Sequence, residues 1–271
     1  MPTPTSDAEQ RTNELDRWVG RVHSGDCLDL MPQMPAGSVD MVLADLPYGT
    51  TRNRWDSVID LDALWDCYRH VTTPEAAIVL TAAQPFTSVL VCSNLDEFRY
   101  EWIWSKTVGS GQLNARRQPL RTHESVLVFY RRQPTYNAQL TEGTPYRATR
   151  TATNWEGRGY NGQRDHEVVN NGTRVPKSVL HVPNPRIRGG HPTQKPLDLF
   201  TYLINTYTNP GDVVLDNVLG SGTTAEAALR TGRAWIGMEN DPTYLTMARD
   251  RIAATHADLT GHTPPTGEIG A

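Results

Sequence analysis

Residues 213–224 read VVLDNVLGSGTT, and residues 234–239 read AWIGME. The aliphatic run at 213–215 predicts a short buried strand, and the glycines after it predict a loop from which a helix starts at Thr223. Residues 234–237 predict the next strand. A strand, a helix and a second strand in this order form a βαβ unit, which belongs to a parallel sheet.

The same alternation of strands and helices continues on either side of this unit. Proline in the first turn marks the start of two helices, at Pro196 and at Pro242. We therefore predict an α/β fold whose mostly parallel sheet is covered by helices on both faces. The other predicted strands lie at 39–44, 76–80 and 125–130, and the other predicted helices lie at 61–70, 84–92 and 223–231.

Between residues 131 and 190 the periodicity is lost, and arginine, asparagine, glycine, threonine and proline dominate. A stretch of this length without clear elements is usually functional or disordered. We interpret residues 16–130 and 191–256 as two halves of one domain, residues 131–190 as an irregular insertion, and residues 1–15 and 257–271 as flexible tails.

Charge is unevenly distributed along the chain. Residues 99–190 carry 15 Lys and Arg against 6 Asp and Glu, a local charge of +9. The rest of the chain therefore carries −13, which gives the net charge of −4. Nearly all of this positive charge is arginine, whose planar fork suits phosphates and base edges. A nucleic-acid surface and a merely solvated, loop-rich face both fit this composition.

Composition argues against several other classes of protein. There is no apolar run of the ~18 to 20 residues that a membrane span needs, and the polar opening lacks a signal-peptide core, so we expect a cytoplasmic protein without membrane contact. Cys27, Cys67 and Cys92 lie far apart without metal-ligand spacing. We therefore expect small buried cysteines, no disulfide framework and no metal site.

The first loop with chemical content is Asp45-Leu46-Pro47-Tyr48-Gly49, directly after a predicted strand. The exocyclic amino group of a base is a poor nucleophile because its lone pair is delocalised into the ring. Two acceptors aimed at its N–H bonds would localise that pair, and the Asp45 carboxylate and the Leu46 carbonyl suit this task. Tyr48 offers a ring for stacking. A simple turn with a buried tyrosine is the alternative.

The second such loop, residues 216–224, also follows a strand and opens a helix. Glycine there lets the backbone approach a ligand closely, although a tight turn is the simpler reading of Gly-x-Gly. Glu239 ends the next strand, 19 residues beyond Gly220, which is the spacing at which an acidic side chain meets ribose hydroxyls. No Walker lysine follows the glycines, so a ligand with a ribose but no phosphate fits best.

Taken together, the chain resembles the β-group DNA amino-methyltransferases, also called N-4/N-6 DNA methylases. The likeness spans roughly residues 20 to 255, and its blocks stand in the order of that group. It implies a Rossmann-like S-adenosylmethionine-dependent methyltransferase fold with a catalytic half, a target-recognition insertion and a cofactor-binding half. Four blocks carry it: Ser24-Gly25-Asp26-Cys27, Asp45 to Gly49, His191-Pro192-Thr193-Gln194-Lys195-Pro196, and Asp216 to Thr224 with Gly237-Met238-Glu239-Asn240.

The resemblance implies a role for each matching position. The catalytic loop would comprise Asp45, Leu46, Pro47 and Tyr48. The S-adenosylmethionine site would comprise Asp216, Gly220, Ser221, Gly222, Thr223, Glu239 and Asn240, with Asp26 and Cys27 lining the cofactor's adenine. Lys195 would lie near its methionine carboxylate, a role that suits an ammonium at a helix start, although a solvated lysine also fits there.

Two positions depart from the family's pattern. Leu46 stands where the usual motif has a first proline, and because the acceptor there is a main-chain carbonyl, leucine keeps the chemistry. Val218 stands where phenylalanine is usual, which predicts looser packing around the cofactor's adenine.

The resemblance also implies the substrate. Family members that act on adenine N6 usually have aspartate at the position of Asp45, and those that act on cytosine N4 usually have serine, so we predict adenine N6 in double-stranded DNA, flipped out of the helix. Methyl transfer would be direct, without a metal. A homodimer and a cognate restriction endonuclease are further expectations. The predicted DNA-binding arginines are Arg116, Arg117, Arg121, Arg147, Arg150 and Arg158.

Three other functions remain open from the sequence. The first is methylation of cytosine N4. The second uses the same acceptor geometry on a protein glutamine amide or an RNA base. The third is a DNA-binding protein that has kept the fold and lost catalysis, which the joint presence of Asp45, Tyr48, Gly220, Gly222 and Glu239 disfavours.

Overall fold

The structure is a computed structural model that describes residues 13–49, 58–150, 166–184 and 194–261. Within these ranges, no helix is both long and apolar enough to cross a membrane.

The main body is built on an eight-stranded mixed sheet with the order β1-β12-β11-β2-β3-β5-β4-β10. Neighbours from β1 to β3 are parallel, β5 runs antiparallel to both β3 and β4, and β10 is parallel to β4. The predicted mostly parallel α/β sheet is therefore confirmed. Its strands are β1 (Arg21–Ser24), β2 (Val39–Ala44), β3 (Thr72–Ala82), β4 (Phe98–Ser110), β5 (Arg121–Phe129), β10 (Val179–His181), β11 (Val213–Asp216) and β12 (Ala234–Glu239).

Six helices connect and cover these strands within the described residues. The predicted βαβ unit is present as β11, α5 and β12. The helices are α1 (Cys27–Leu30), α2 (Leu61–Val71), α3 (Phe86–Ser93), α4 (Leu197–Tyr207), α5 (Thr223–Arg230) and α6 (Pro242–Thr260). Helix α6 continues four residues past residue 256, where the sequence suggested that the tail begins.

Local sequence explains where these helices start and which face they bury. Helix α2 is capped by the Asp60 carboxylate, which accepts from the N–H groups of Asp62 and Ala63. Helix α6 combines an Asp241 cap with proline at its first position. Helix α4 buries Leu199, Phe200, Leu203, Ile204 and Tyr207, the three-and-four spacing of a one-sided apolar stripe.

The core lies on both faces of the sheet. Strand β2 shows this directly, because Val42 and Ala44 belong to one buried cluster while Met41 and Leu43 belong to another. Successive side chains of a strand point to opposite faces, so a strand with consecutive apolar residues, as β2 has from Met41 to Ala44, must be covered on both faces. The cluster around Val42 includes α2, and the cluster around Met41 includes α4 and α5.

Residues 138–177 form a second compact unit. This unit contains two antiparallel strand pairs, which are β6 (Thr141–Glu142) with β9 (Thr173–Arg174), and β7 (Tyr146–Arg150) with β8 (His166–Asn170). It lies within the predicted insertion at 131–190, whose boundaries remain a prediction. Strands this short leave little periodicity in the sequence.

The cysteines differ in part from expectation. Cys27 and Cys67 are buried, as predicted, but Cys92 is exposed near the end of α3. The prediction of three buried cysteines was wrong for Cys92, because the apolar composition of α3 conceals which of its faces meets solvent.

Candidate active site

The predicted site residues lie in loops at one edge of the sheet. Strands β1, β2, β11 and β12 are all parallel, so the loops after them leave from the same carboxyl edge, where α/β folds bind ligands. Two main-chain hydrogen bonds tie these loops together: Gly25 N donates to Glu239 O at 3.2 Å, and Leu219 N donates to Met238 O at 2.8 Å. Sequence motifs about 200 residues apart thus meet at a single edge.

Asp45 is held by three side-chain donors. Its Oδ1 accepts from the Tyr48 hydroxyl at 2.8 Å and from the hydroxyl of Thr81, which lies near the end of β3. Its Oδ2 accepts from Lys195 Nζ at 2.5 Å. The carboxylate is therefore fixed in orientation at the carboxyl edge, as a group that accepts hydrogen bonds there must be.

The rest of the Asp45 loop, residues 45–49, is anchored in the core. Leu46 is buried among the apolar residues below the sheet edge, which explains why a leucine fits at this position. The Tyr48 ring stacks on Phe86 with centroids 5.4 Å apart. Burial, and then the charges of Asp45 and Glu124, raise the pKa of Tyr48 well above its usual value, so the phenol remains a neutral donor to Asp45.

Lys195 lies between two carboxylates. Its ammonium contacts Asp45 Oδ2 and lies 3.4 Å from Glu124 Oε2, and Glu124 is paired in turn with Lys106. Burial alone would lower the pKa of Lys195, but the charges of Asp45 and Glu124 outweigh it and raise that pKa above its usual value. Lys195 is therefore a permanent cation next to Asp45.

Sequence reasoning missed three members of this cluster: Thr81, Lys106 and Glu124. The predicted contact of Lys195 with a cofactor carboxylate remains a prediction, and its pairing with Asp45 was not foreseen. No local signal could have revealed that pairing, because 150 residues separate the two. A weak signal existed for the Lys106–Glu124 pair, since these residues carry opposite charges on neighbouring strands of a hairpin.

The glycine loop, residues 216–224, is shaped by two buried carboxylates. Asp216 accepts from Val218 N at 3.0 Å and from the Thr224 hydroxyl at 2.5 Å. Burial raises the pKa of Asp216 to about 7. Glu239 accepts from Gly220 N and from Asp241 N, both at 2.8 Å, and burial raises its pKa as well.

The glycines of this loop leave room for a ligand. Gly220 has φ +54°, and a Cβ placed there would meet only Val218 O at 3.9 Å, so its outer side is open. Gly222 has φ +86°, and a Cβ there would lie 3.1 Å from the Ala248 Cα, so only glycine fits. The open loop next to the Glu239 carboxylate fits a nucleoside whose ribose hydroxyls need an acceptor.

Other contacts connect this loop to its neighbours. Ser221 donates its hydroxyl to Gln194 at 3.3 Å, and Arg251 of α6 donates to Ser221 at 3.3 Å and to Thr223 at 2.7 Å. Arg251 also pairs with Glu226 at 3.2 Å. Sequence reasoning missed Arg251, which had no motif around it. Its guanidinium fixes the entry to α5.

The predicted adenine-lining residues lie after β1. Asp26 caps α1 by accepting from Leu28 N at 2.9 Å. Cys27 is buried and accepts a hydrogen bond from the Asn217 amide at 3.4 Å, while the same amide accepts from the Tyr68 hydroxyl at 2.7 Å. Burial raises the pKa of Cys27 to about 11, so it stays a thiol. Asn240 is exposed after β12.

Three of the predicted DNA-binding arginines lie at the end of the β4–β5 hairpin. Arg116 and Arg117 occupy the exposed connection between the strands, and Arg121 starts β5. This end of β5 lies at the same edge as Asp45, since Glu124 contacts Lys195. Arg147 is exposed in the second unit and pairs with Glu167 at 3.6 Å. Arg158 and the side chain of Arg150 lie outside the described residues.

Across the part of the chain that the structure describes, no group of three or more His, Cys, Asp or Glu side chains could hold a metal ion.

Comparison with known proteins matches the chain to a family. The model of the N6/N4 methyltransferases, described as DNA methylases, matches residues 39–250. The chain is 28% identical to the DNA adenine methyltransferase YhdJ of Escherichia coli over 86% of this chain and 82% of that protein. It is 26% identical to the type II methyltransferase M1.MboII of Moraxella bovis over 85% of this chain and 95% of that protein.

Solved structures show the same fold. The complex of M1.HpyAVI with S-adenosylmethionine superposes with a TM-score of 0.59 at 22% identity, covering 85% of this chain and 98% of that one. The cytosine-N4-specific PvuII DNA methyltransferase superposes with a TM-score of 0.62 at 17% identity, covering 89% and 93%. Because the family model covers more than three quarters of the 271 residues, the chain belongs to the N6/N4 DNA methylases, and its cofactor is S-adenosylmethionine.

Proposed function

We propose that this DNA methylase transfers the methyl group of S-adenosylmethionine to the N6 amino group of adenine in double-stranded DNA. The observation that carries the proposal is that hydrogen bonds hold the Asp45 carboxylate in place at the carboxyl edge of the sheet. Aspartate at this position is the choice associated with adenine, whereas serine is associated with cytosine. The similarity to a protein described as a DNA adenine methyltransferase points the same way.

The proposed chemistry assigns a task to each residue of the Asp45 loop. A flipped adenine would present its amino group to the Asp45 carboxylate and the Leu46 carbonyl, which accept its two N–H bonds and localise the nitrogen lone pair. The Tyr48 ring, fixed against Phe86, would stack on the base. In this mechanism the methyl group passes directly from the cofactor to the base, and no residue of the protein needs to form a covalent bond with either.

The glycine loop would hold the cofactor next to that amino group. Bound S-adenosylmethionine supplies an electrophilic methyl group on a sulfonium. Glu239 would accept from the ribose hydroxyls, and the open side of Gly220 would admit the nucleoside. The turn that would bring the backbone close to the cofactor consists of Ser221, Gly222 and Thr223. Asp216 stabilises this loop by accepting hydrogen bonds from Val218 N and the Thr224 hydroxyl.

Duplex DNA would be held by the exposed arginines. Arg116, Arg117 and Arg121 lie on a hairpin end beside the catalytic edge, and no acidic residue occurs between Glu101 and Glu124. Contacts of this kind to phosphates position the duplex, while a smaller number of side chains read base edges. The second unit, with Arg147, is the proposed site of target recognition.

The test is to identify the methylated nucleoside. Purified protein is incubated with S-adenosylmethionine and DNA from a methylation-deficient host, and the digested nucleosides are quantified by mass spectrometry. N6-methyldeoxyadenosine is the expected product. N4-methyldeoxycytidine would overturn the adenine assignment and keep the acceptor chemistry, and the absence of both from a protein that binds S-adenosylmethionine would contradict the proposal as a whole.

A further inference from the structure

Four charged side chains form an alternating row that ends at Asp45. Lys106 on β4 pairs with Glu124 on β5, Glu124 faces Lys195 at 3.4 Å, and Lys195 contacts Asp45 at 2.5 Å. The exposed side-chain fractions are 8% for Lys106, 12% for Glu124, 6% for Lys195 and 26% for Asp45. Three ions of this row are thus nearly removed from water, and the fourth is at the active edge.

Such a row is a costly way to stabilise a fold. Each buried ion loses much of its hydration, and well-packed apolar side chains of similar volume often give a fold that is as stable or more so. The alternation of signs compensates each charge locally, because every acid in the row contacts a base. Stability alone therefore does not explain why β4 and β5 direct a buried ion pair toward Asp45.

The geometry at Asp45 suggests what the row does. Each carboxylate oxygen accepts about two hydrogen bonds. Within the described residues, Oδ1 already accepts from the hydroxyls of Tyr48 and Thr81, while Oδ2 accepts only from Lys195. The remaining acceptor site of Asp45 is therefore on Oδ2, and the direction in which it points is set by the ammonium of Lys195.

The residue before Lys195 connects the same segment to the cofactor side. Gln194 accepts from the Ser221 hydroxyl at 3.3 Å, while Lys195 donates to Asp45. Two consecutive residues just before α4 thus contact the glycine loop and the Asp45 loop. In this arrangement the Lys195 ammonium donates to a carboxylate of the protein itself, that of Asp45.

We propose that Lys195 is a positioning residue for Asp45, held in place by Glu124 and Lys106, and that it is not the partner of the cofactor's carboxylate. This inference rests on the proposed methyl transfer, in which Asp45 accepts the target amino group. Lys195 donates to Oδ2 of Asp45, which fixes the orientation of the carboxylate and leaves one lone-pair site of Oδ2 free for the amino group. It touches no reacting atom.

The pH dependence of activity separates this role from a cofactor contact. Besides Lys195, the ionisable groups around Asp45 are Tyr48, Glu124, Lys106 and the buried Asp216. Lys195 is the only cation among the described residues in direct contact with Asp45, so its removal leaves a carboxylate beside other acids. Loss of this cation makes the site more negative, which favours proton uptake, so we expect the acid limb of the activity profile to move to higher pH.

The experiment compares Lys195→Met with Lys195→Arg. Affinity for S-adenosylmethionine is measured by calorimetry, and single-turnover methyl transfer to saturating DNA is measured across pH. For Lys195→Met we expect affinity within about threefold of wild type, a rate at pH 7 reduced by about tenfold or more, and an acid limb moved to higher pH. Lys195→Arg keeps the charge and should leave the limb near its original position.

Two further variants complete the test. Glu124→Gln leaves Lys195 charged, so the acid limb should not move upward, while the rate should fall severalfold because Lys195 has lost a partner. A Glu124→Gln variant with wild-type rate would remove Glu124 from the proposal. If Lys195→Met alone fails to fold, the double variant Lys195→Met/Glu124→Gln removes the uncompensated charge and is measured in the same way.

The opposite result is equally distinct. A loss of S-adenosylmethionine affinity of more than about tenfold in Lys195→Met, with an unmoved acid limb, would overturn the proposal and assign Lys195 to the cofactor. Transfer is scored as total methyl groups on DNA. A cytosine product would therefore contradict the proposed adenine specificity without affecting this comparison.

Discussion

At the scale of single residues, Asp45 takes contacts from three separate elements. Tyr48 comes from its own loop, Thr81 from β3 and Lys195 from the segment before α4. A carboxylate with this many donors is held in one orientation before a substrate arrives, and preorganised acceptors of this kind cost no reorganisation during the reaction. The hydroxyl and the ring of Tyr48 contribute separately, which makes them separable by mutation.

Tyr48→Phe and Tyr48→Ala divide these two contributions. Phenylalanine keeps the ring and its stacking on Phe86 but loses the 2.8 Å hydrogen bond to Asp45. The hydroxyl of Thr81 still donates to Asp45 in this variant. We expect a drop in methyl-transfer rate of roughly threefold to tenfold. Alanine also removes the ring on which the flipped base would stack. We therefore expect the methyl-transfer rate and the DNA affinity each to fall by about ten- to a hundredfold. Equal behaviour of the two variants would exclude stacking by Tyr48.

Glu239→Gln tests the cofactor side in the same way. The glutamine keeps one acceptor oxygen, so its amide nitrogen faces the N–H of Gly220 or of Asp241, and the ribose hydroxyls lose a charged acceptor. We expect S-adenosylmethionine to bind about ten- to a hundredfold more weakly by calorimetry. Glu75→Gln, an exposed change at the opposite edge of the sheet, should bind as wild type does. Unchanged affinity in Glu239→Gln would refute the ribose contact.

At the scale of elements, the β4–β5 hairpin connects the proposed DNA surface to the active edge. Its exposed end carries Arg116, Arg117 and Arg121, and three residues further along β5 Glu124 enters the buried charge row. At about 3.3 Å per residue, Arg121 and Glu124 are about 10 Å apart along the strand. A phosphate held at the hairpin end is thus near the Asp45 loop.

The double variant Arg116→Ala/Arg117→Ala tests this hairpin. Each lost phosphate contact removes one released counterion, so the slope of log affinity for DNA against log salt should decrease by about one to two. Filter binding or fluorescence anisotropy at several salt concentrations measures it. Arg132→Ala, an exposed arginine paired with Glu75 near the start of β3, is the matched control and should keep the wild-type slope. An unchanged slope in the double variant would take the hairpin out of the interface.

The elements also show what sequence alone can predict. Strand β2 and the β11–α5–β12 unit were predictable because their strands are mostly apolar and a glycine loop marks the start of α5. Strand β4 was missed although aromatic residues stand at every second position from Phe98 to Trp104, and β10 was missed because three residues leave no pattern. The Asp45 and glycine loops were found by their motifs. The ion pair of Lys195 with Asp45 could not be, since it depends on tertiary packing over 150 residues.

At the scale of the whole molecule, charge is separated along the chain, with +9 in residues 99–190 and −13 in the rest. A basic segment on an otherwise acidic protein confines DNA attraction to one part of the chain and disfavours contact elsewhere. Buried acids in the main body add a further property, because Asp40, Asp216 and Glu239 all have raised pKa values caused first by burial.

Stability should therefore depend on pH in a defined direction. Asp216 has a pKa of about 7 in the fold, against an ordinary value of 3.8 for an aspartate in water, so the folded state binds the proton more tightly. Its contribution is fully present below about pH 4 and is lost as pH rises through about 7. The free energy of unfolding in urea should fall more steeply with pH for wild type than for Asp216→Asn. The exposed Asp66→Asn change should leave the wild-type slope, and parallel slopes for wild type and Asp216→Asn would contradict the assignment.

The most direct test of the central claim, that the Asp45 carboxylate presents adenine N6 to S-adenosylmethionine, is the single-turnover formation of N6-methyldeoxyadenosine by wild type and Asp45→Ala, with cofactor affinity measured on both. We predict N6-methyldeoxyadenosine from wild type, a rate lower by at least about a hundredfold in Asp45→Ala, and S-adenosylmethionine affinities within about threefold of each other. Formation of N6-methyldeoxyadenosine by Asp45→Ala at the wild-type rate would contradict the claim.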